Sequence, residues 1–527
     1  MLGLELVVAI GGVILLGGLA AKRWNLAPPI PLVALGVLLG FIPALRTVQL
    51  PPEAVLLLFL PALLYWESLT TSLREIRKNL RGIVLAATVL VIASAAAAAA
   101  TAHALGMPWG PAWVLGAALA PTDATAVGVV SRLLPRRNVT VLRAESLVND
   151  GTALVVYGVA VGVVTGQEHV TLGHVTWLFI FSYVAGAASG VLVAWIGLHV
   201  RRRISEPLLG NTTTALIPFS AYLLAESLGA SGVLAVVTAG LIMSQAGPRS
   251  GPADTRRQAE AFWSLSTFWL NGALFALVGL EMQSAVRGLT SEDLTRALEI
   301  VALVALALIA VRITFLFAAT YAIRTLDRRP QQLARRVSGR YRIVSGLAGF
   351  RGAVSLAVAL SVPDTLDSGA PFPQRDAIVF ITAGVIVLTL LQGLALPGLI
   401  RWAHLPKDTS VTEERHLAET TITKAAHNAL PRTAALLGTP PEIAEHLSDE
   451  YRQHVAVLDA NHSGDGEDPA LQRTRAYTDL RLALIAEKRA ALIRLRDENH
   501  IDDVVLRQVQ AVLDIEEVRL ARTVMVE

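Results

Sequence analysis

Cysteine is absent from the 527-residue chain, which excludes a disulfide framework, thiolate chemistry and any Cys-ligated metal or cluster. Charge is scarce. Only 17% of residues are Asp, Glu, Lys or Arg, against about 25% in an average soluble protein. With 53% hydrophobic residues and a mean hydropathy of +0.54, hydrocarbon is expected as the main solvent. A P-loop, a G-x-G-x-x-G fingerprint and metal-ligand spacings are also missing, so no nucleotide-driven engine and no cofactor are expected. His103, His169, His174 and His199 all fall at the ends of apolar runs, which leaves an intramembrane enzyme without a central base. A TVGYG-like filter or a ring of acids, as a channel would need, is not found either.

What is there is a series of apolar runs long enough to cross roughly 30 Å of hydrocarbon. They lie near 3–20, 27–44, 53–69, 82–104, 111–131, 141–164, 174–199, 212–229, 231–246, 262–286, 296–323, 341–362 and 377–401, and predict about thirteen transmembrane helices. The first lacks a basic leading segment and reads as a retained span rather than a signal peptide. Basic residues cluster in alternate loops: Lys22-Arg23, Arg74 to Arg81, Arg132 to Arg137, Arg201 to Arg203, Arg249 to Arg257 and Arg324 to Arg342. Positive-inside bias then puts the N-terminus outside and the C-terminus in the cytoplasm, consistent with a bacterial inner membrane. The same bias accounts for the basic excess without a nucleic-acid partner.

Two runs are interrupted. Pro121-Thr122-Asp123 breaks the fifth, and Ser345 to Gly352, with three glycines and an arginine, breaks the twelfth. Seven spans apart, the breaks hold matching places in two six-helix halves that flank a seventh and run in opposite directions. Such paired broken helices point to a secondary transporter's binding site. Past Trp402 the pattern turns to charged helix, with 15 basic against 22 acidic residues from His404 on. Domains of 1–405 and 406–527 are therefore expected, the second a cytoplasmic helical tail. One of its helices starts at Thr439-Pro440-Pro441-Glu442 and ends near Leu458; a polar loop occupies 460–469. Helices over 470–498 and 501–523 are expected to pair through stripes of Leu480, Leu484, Leu492 and Leu495 with Val505, Val509 and Val512. The fold class is all-α and polytopic.

An ionised side chain at the bilayer centre costs roughly 2.5–3.5 kcal/mol on insertion scales, so acids found there are functional by default. Glu145-Ser146-Leu147-Val148-Asn149-Asp150 opens the sixth run. On a helix, Ser146 and Asp150 share one face and Glu145 and Asn149 the adjacent one, with Glu145 and Asp150 about 140° apart. Asp150 with Ser146 offers hard oxygens to a small cation. Thr122, at the break, adds a hydroxyl or carbonyl oxygen, and Asp123 a second acid. Glu145 needs its own counter-charge, for which Arg351 in the other break is the leading candidate. Glu67 is a third intramembrane acid, either part of the site or an interfacial residue. Asn149 reads as a hydrogen-bonding residue that tunes the site. Gly158 and Gly162 read as helix contacts, and the alanine run 93–102 as a close-packed face.

Together Pro121-Thr122-Asp123, the segment Glu145 to Gly151, Phe268 to Leu280 with Asn271, and Phe350-Arg351-Gly352-Ala353-Val354-Ser355-Leu356 resemble the sodium/proton exchangers, the electroneutral branch of the monovalent cation:proton antiporters. Glu67 and the loop Leu73 to Asn79 are similar too. The resemblance covers roughly residues 1–405 and implies Na⁺ held at Asp150, Ser146 and Thr122 in exchange for H⁺, with Asp123 and Glu67 completing the site. It further implies a Glu145–Arg351 ion pair, a homodimer, and a mobile core moving against a static domain. A K⁺/H⁺ antiporter or gated K⁺ efflux system on the same scaffold is the alternative.

Overall fold

A computed structural model describes residues 2–43, 55–123, 134–166, 171–204, 206–247, 253–288, 291–326, 338–366, 368–404, 408–463, 469–498 and 500–524. It separates into two compact units, Met1–Pro406 and Lys407–Glu527. Among the described residues both are all-α; the one backbone bridge outside helices joins Thr365 to Pro371.

The first unit opens with α1 (Leu2–Trp24) and α2 (Pro29–Leu39), whose proline start suits a first helical turn that lacks N–H partners. A π-helical turn, Val55–Phe59, leads into α3 (Leu60–Thr70). Next, α4 (Leu73–Leu85), a π-helical turn Ala86–Leu90 and α5 (Val91–Ala104) run on as one long span. The fifth apolar run begins with α6 (Trp109–Leu119) and is non-helical at 121–123; its second half lies outside the described residues. Then come α7 (Arg136–Thr165), closed by the left-handed Gly166 at φ 85°, α8 (Leu172–Arg201), α9 (Pro207–Ser227), α10 (Gly232–Ala246), α11 (Ala253–Gly288) and α12 (Ser291–Leu326). The twelfth run is split into α13 (Gly339–Leu347) and α14 (Ala353–Leu360). Finally α15 (Arg375–Gln392) passes through a 3-10 turn into α16 (Leu396–Ala403). Ser72, Ser231 and Ser338 accept N–H bonds at the starts of α4, α10 and α13, as N-caps do. Each of the thirteen apolar runs thus carries helix, and among the described residues eight helical stretches are long and apolar enough to cross a membrane unaided.

Between apolar helices in lipid, attraction comes from close packing, which small residues permit. A Cβ added at Gly36 of α2 would overlap the Ala276 carbonyl of α11, and one at Gly279 of α11 the Val33 carbonyl of α2. Gly186 and Gly190 bring α8 equally close to Ser231 and Ala235 at the start of α10. The alanine run supplies the α5–α6 contact: Ala95, Ala98, Ala99 and Ala102 are fully buried, and Gly116 seats against the Ala95 carbonyl. Gly158, by contrast, has nothing within 4 Å of its would-be Cβ, so it is not the helix contact that its spacing suggests.

The second unit contains α17 (Ser410–Leu437), α18 (Pro441–Ser463), α19 (Pro469–Asp497) and α20 (Asp503–Val524). The last two pair as expected, but of the expected stripe only Leu492 is buried between them. Ile485, Leu492 and Leu513 form their core, whereas Leu480, Leu484, Val505, Val509 and Val512 stay exposed. Charge explains the choice. Arg481 and Arg489 flank Ile485 at helical spacing and bind Glu516 and Asp514 of α20, the latter at 2.7 Å. Arg481 holds the Glu516 carboxyl below the usual carboxylate range, so the pair is intact at neutral pH and is lost only in acid.

Replacing Gly36 with Leu should force α2 off α11. The expected loss is about 1–3 kcal/mol, read as a lower thermal midpoint of the purified protein; an unchanged midpoint would contradict the close approach.

Candidate functional site

The two interruptions meet. The backbone N–H of Asp123 donates to the Phe350 carbonyl at 2.9 Å, joining one break to the other. Ending a helix strands carbonyls that must find donors. Arg351 supplies them: its Nε donates to Leu119 O at the end of α6 (3.1 Å) and its Nη1 to Gly349 O (2.7 Å). Its own N–H donates to Thr389 Oγ1 of α15 (3.3 Å), and Gln392 Nε2 donates to Leu347 O at the end of α13 (2.6 Å). Gly352 then passes so close to Asp123 that a Cβ would overlap its carboxyl.

This geometry corrects the expected ion pair. Glu145 is bound not by Arg351 but by Arg312 of α12, bidentately, at 2.6 Å (Nη1 to Oε1) and 3.2 Å (Nη2 to Oε2). Arg312 Nε also reaches Ser345 O of α13 at 3.3 Å, and Glu145 and Arg312 are both buried. The reason is directional. Arg351 faces the carbonyls of its own break and of α6, which leaves Glu145, on another side of α7, to the arginine of α12.

Beside the crossing lies a cavity of about 40 Å³, more than the roughly 10–15 Å³ that one water needs. Glu67 of α3, Thr122 and Asp123 of the break, and Ser146 and Asp150 of α7 all line it. The five residues read as a site from sequence are thus brought together, Glu67 among them. Ser146 Oγ donates to the Thr122 carbonyl, and Asn149 Nδ2 donates to Thr122 Oγ1 at 2.8 Å, so α7 holds both oxygens of Thr122 in place. The carboxyls of Glu67 and Asp150 make no hydrogen bond to another described residue, although Asp150 is only 4% exposed. Buried polar groups are normally bonded, so two carboxyls left facing a small cavity are poised for a proton or a cation. Two residues on, Thr152 anchors α7 by donating to Ala87 O in the π turn (2.6 Å) and by bonding the Tyr183 hydroxyl of α8.

A family model described as "Sodium/hydrogen exchanger, transmembrane" matches residues 11–402. The chain belongs to the sodium/hydrogen exchanger family. This exchanger is 44% identical, over 98% of its length and 96% of the relative's, to an uncharacterized Na(+)/H(+) exchanger of Mycobacterium tuberculosis. It is 31% identical to the Na(+)/H(+) antiporter ApNhaP of Aphanothece halophytica, over 78% of this chain and 75% of that one. Its fold is similar to that of the sodium proton antiporter MjNhaP1 from Methanocaldococcus jannaschii, with a TM-score of 0.57 at 20% identity over 75% of this chain and all of that one.

Three polar residues of the exchanger are given no role by the sequence reading. Arg312 is a lone charge in the middle of the eleventh apolar run, a signal as strong as the one that marks Asp150. Asn271 and Ser355 line the cavity, but neutral side chains of this kind are common in apolar helices and carry no such signal.

Glu145→Ala and Arg312→Ala should each destabilise the exchanger by about 3–5 kcal/mol, because each strands the other's buried charge. The double variant should lose less than the sum, and Glu145→Ala combined with Arg351→Ala should show a weaker coupling. Thermal unfolding of the purified set measures this; strict additivity of Glu145 and Arg312 would break the assignment.

Proposed function

We propose that the chain exchanges Na⁺ for H⁺, one for one, by alternating access, and that Asp150 is the carboxyl that holds either ion. The reading rests above all on the convergence of the Glu67, Asp123 and Asp150 carboxyls with the Ser146 and Thr122 oxygens at the meeting of two helix breaks. A bare carboxylate in an apolar surrounding is costly, whereas one neutralised by a proton or a cation is not. Phe59, Leu63, Leu64, Leu274 and Val354 supply such a surrounding on the cavity wall. A loaded site can therefore pass this wall and an empty, charged one cannot, which couples the two ions without any direct contact between them. Asp150 is favoured over its neighbours because it stands on the continuous helix α7 beside Ser146 and Asn149, which hold the Thr122 oxygens in register. Glu67 and Asp123 supply further cation ligands.

Charge balance supports a one-for-one cycle. Asn149, next to Asp150, is a neutral amide engaged with Thr122, and Glu145 is balanced by Arg312. With Glu67 and Asp123 keeping their protonation through the cycle, one exchangeable charge remains, and the loaded site carries the same charge with Na⁺ as with H⁺. The moving part would comprise the helices around the crossing, α5 to α7 and α12 to α15, working against α1 to α3 and α8 to α11. A homodimer in a bacterial inner membrane, with the N-terminus outside and the acidic helical unit cytoplasmic, completes the reading; the alternation of basic loops supports that orientation.

Asp150→Asn keeps the shape but cannot release a proton, and should abolish cation-driven proton flux in proteoliposomes while leaving the protein folded. Flux near the wild-type rate would sink the assignment. Running the wild-type assay with Na⁺, Li⁺ and K⁺ in turn separates a Na⁺ exchanger from a K⁺ exchanger.

In the same liposomes, a potential imposed with K⁺ and valinomycin should leave the Na⁺/H⁺ rate unchanged. A steep voltage dependence would reject the single-carboxyl cycle and bring Asp123 in as a second proton carrier. Where Asp150 is mostly protonated, each unit fall in pH should raise the apparent KM for the cation about tenfold, because both ions compete for one seat.

A further inference from the structure

Two neutral side chains face the cavity without a protein partner. Ser355, in the first turn of α14, is 1% exposed and lines the cavity, and its hydroxyl bonds no other described residue. Serines and threonines inside helices ordinarily bond the carbonyl one turn back, and Ser68, Thr101, Ser189 and Thr267 all do so here. For Ser355 that turn is the helix break itself, so its hydroxyl is released toward the cavity. Asn271 enters from α11, a helix packed on α1 and α2 and remote in sequence from both breaks. Its carboxamide likewise bonds no other described residue. The charged and oxygen-rich wall comes from α3, the first break and α7, while this facing wall is hydrocarbon except for one amide and one hydroxyl.

We propose that Asn271 and Ser355 are the selectivity-determining residues of the site, binding the water carried in by a partly hydrated monovalent cation. The inference deepens the exchange reading given above and rests on it for the identity of the cavity. The cavity, at about 40 Å³, has room for a small ion together with water. Neutral oxygens discriminate among cations of equal charge by the number and strength of the dipoles they present. They add no titrating proton, so they can change which cation is preferred without changing how many protons are exchanged. The two residues come from different helices, Asn271 from α11 and Ser355 from α14, so the water they hold is released when those helices move apart.

The full-length purified protein tests this by cation-dependent thermal stabilisation, which reads binding whether or not transport occurs. Titrations with NaCl, LiCl and KCl at constant ionic strength give an apparent affinity for each ion. Ser355→Ala and Asn271→Leu, the latter close to isosteric, should each weaken binding of the preferred cation roughly three- to tenfold. They should also bring the three affinities closer together, and Ser355→Thr, which keeps the hydroxyl, should restore the wild-type order. Wild-type affinities in both variants, or an equal weakening for every cation with the order preserved, would overturn the proposal. Asn271→Ser serves as a second variant should the leucine fail to fold, with an intermediate preference expected and a wild-type one counting against the idea. Absence of cation-driven proton flux in wild-type liposomes would instead overturn the exchange reading, and the binding titration would still decide the role of these two residues.

Discussion

No polar backbone group can be left unmatched inside hydrocarbon, and the centre of this protein is built around that constraint. Interrupting two helices in the middle of the membrane unit frees carbonyls at the ends of α6 and α13 and N–H groups on the far side of each break. Each gap is closed from the other break or from α15: Leu119 O by Arg351, Phe350 O by the Asp123 N–H, Leu347 O by Gln392, and the Arg351 N–H by Thr389. The breaks are therefore mutually dependent. Each supplies a partner to the other, and the cavity lies beside the point where they cross.

The same constraint explains why two buried arginines are needed. Arg351 acts as a helix cap, a cation set at the negative end of the α6 dipole, with its hydrogen bonds directed to carbonyls. Glu145 then requires a different counter-ion, and Arg312 meets it with two bonds while steadying Ser345 O at the end of α13. One arginine serves the backbone and the other serves the acid. Both tie α13 to its surroundings, so the second break is held on two sides.

Much of this is legible in the residues, and the exceptions share a physical cause. Interruptions such as Pro121-Thr122-Asp123 and Ser345 to Gly352 stand out because proline, glycine and charge are costly in an apolar helix, and the acids of the cavity stand out for the same reason. Arg312 carries an equal penalty and is equally visible; pairing Glu145 with Arg351 instead requires that the two charged breaks neutralise one another, which the backbone's own demand for donors prevents. Asn271 and Ser355 fall in stretches that carry the family resemblance but mark no site by their chemistry, since a neutral amide or hydroxyl costs little in a helix. The π turn at Ala86–Leu90 leaves hydropathy unchanged and shows only in the carbonyl it hands to Thr152. In the acidic unit the expected stripe contributes Leu492 but not Leu480 or Leu484, and the Arg481 and Arg489 ion pairs flank Ile485, which is buried instead.

Asn149 and Asp150 bring these strands together. They are neighbours in sequence and about 100° apart on α7, nearly identical in shape, and opposite in circumstance. The amide is tied to Thr122 and helps fix the first break; the carboxyl bonds no described residue and faces the cavity. Holding the break with a neutral group means that loading and unloading the carboxyl need not disturb the backbone beside it. If the two were exchanged, the charge would sit on the bond that positions Thr122, and every protonation would loosen the crossing. With exchange at Asp150 as proposed, separating the group that holds from the group that exchanges would let a site made of interrupted helices change its charge repeatedly and keep its shape.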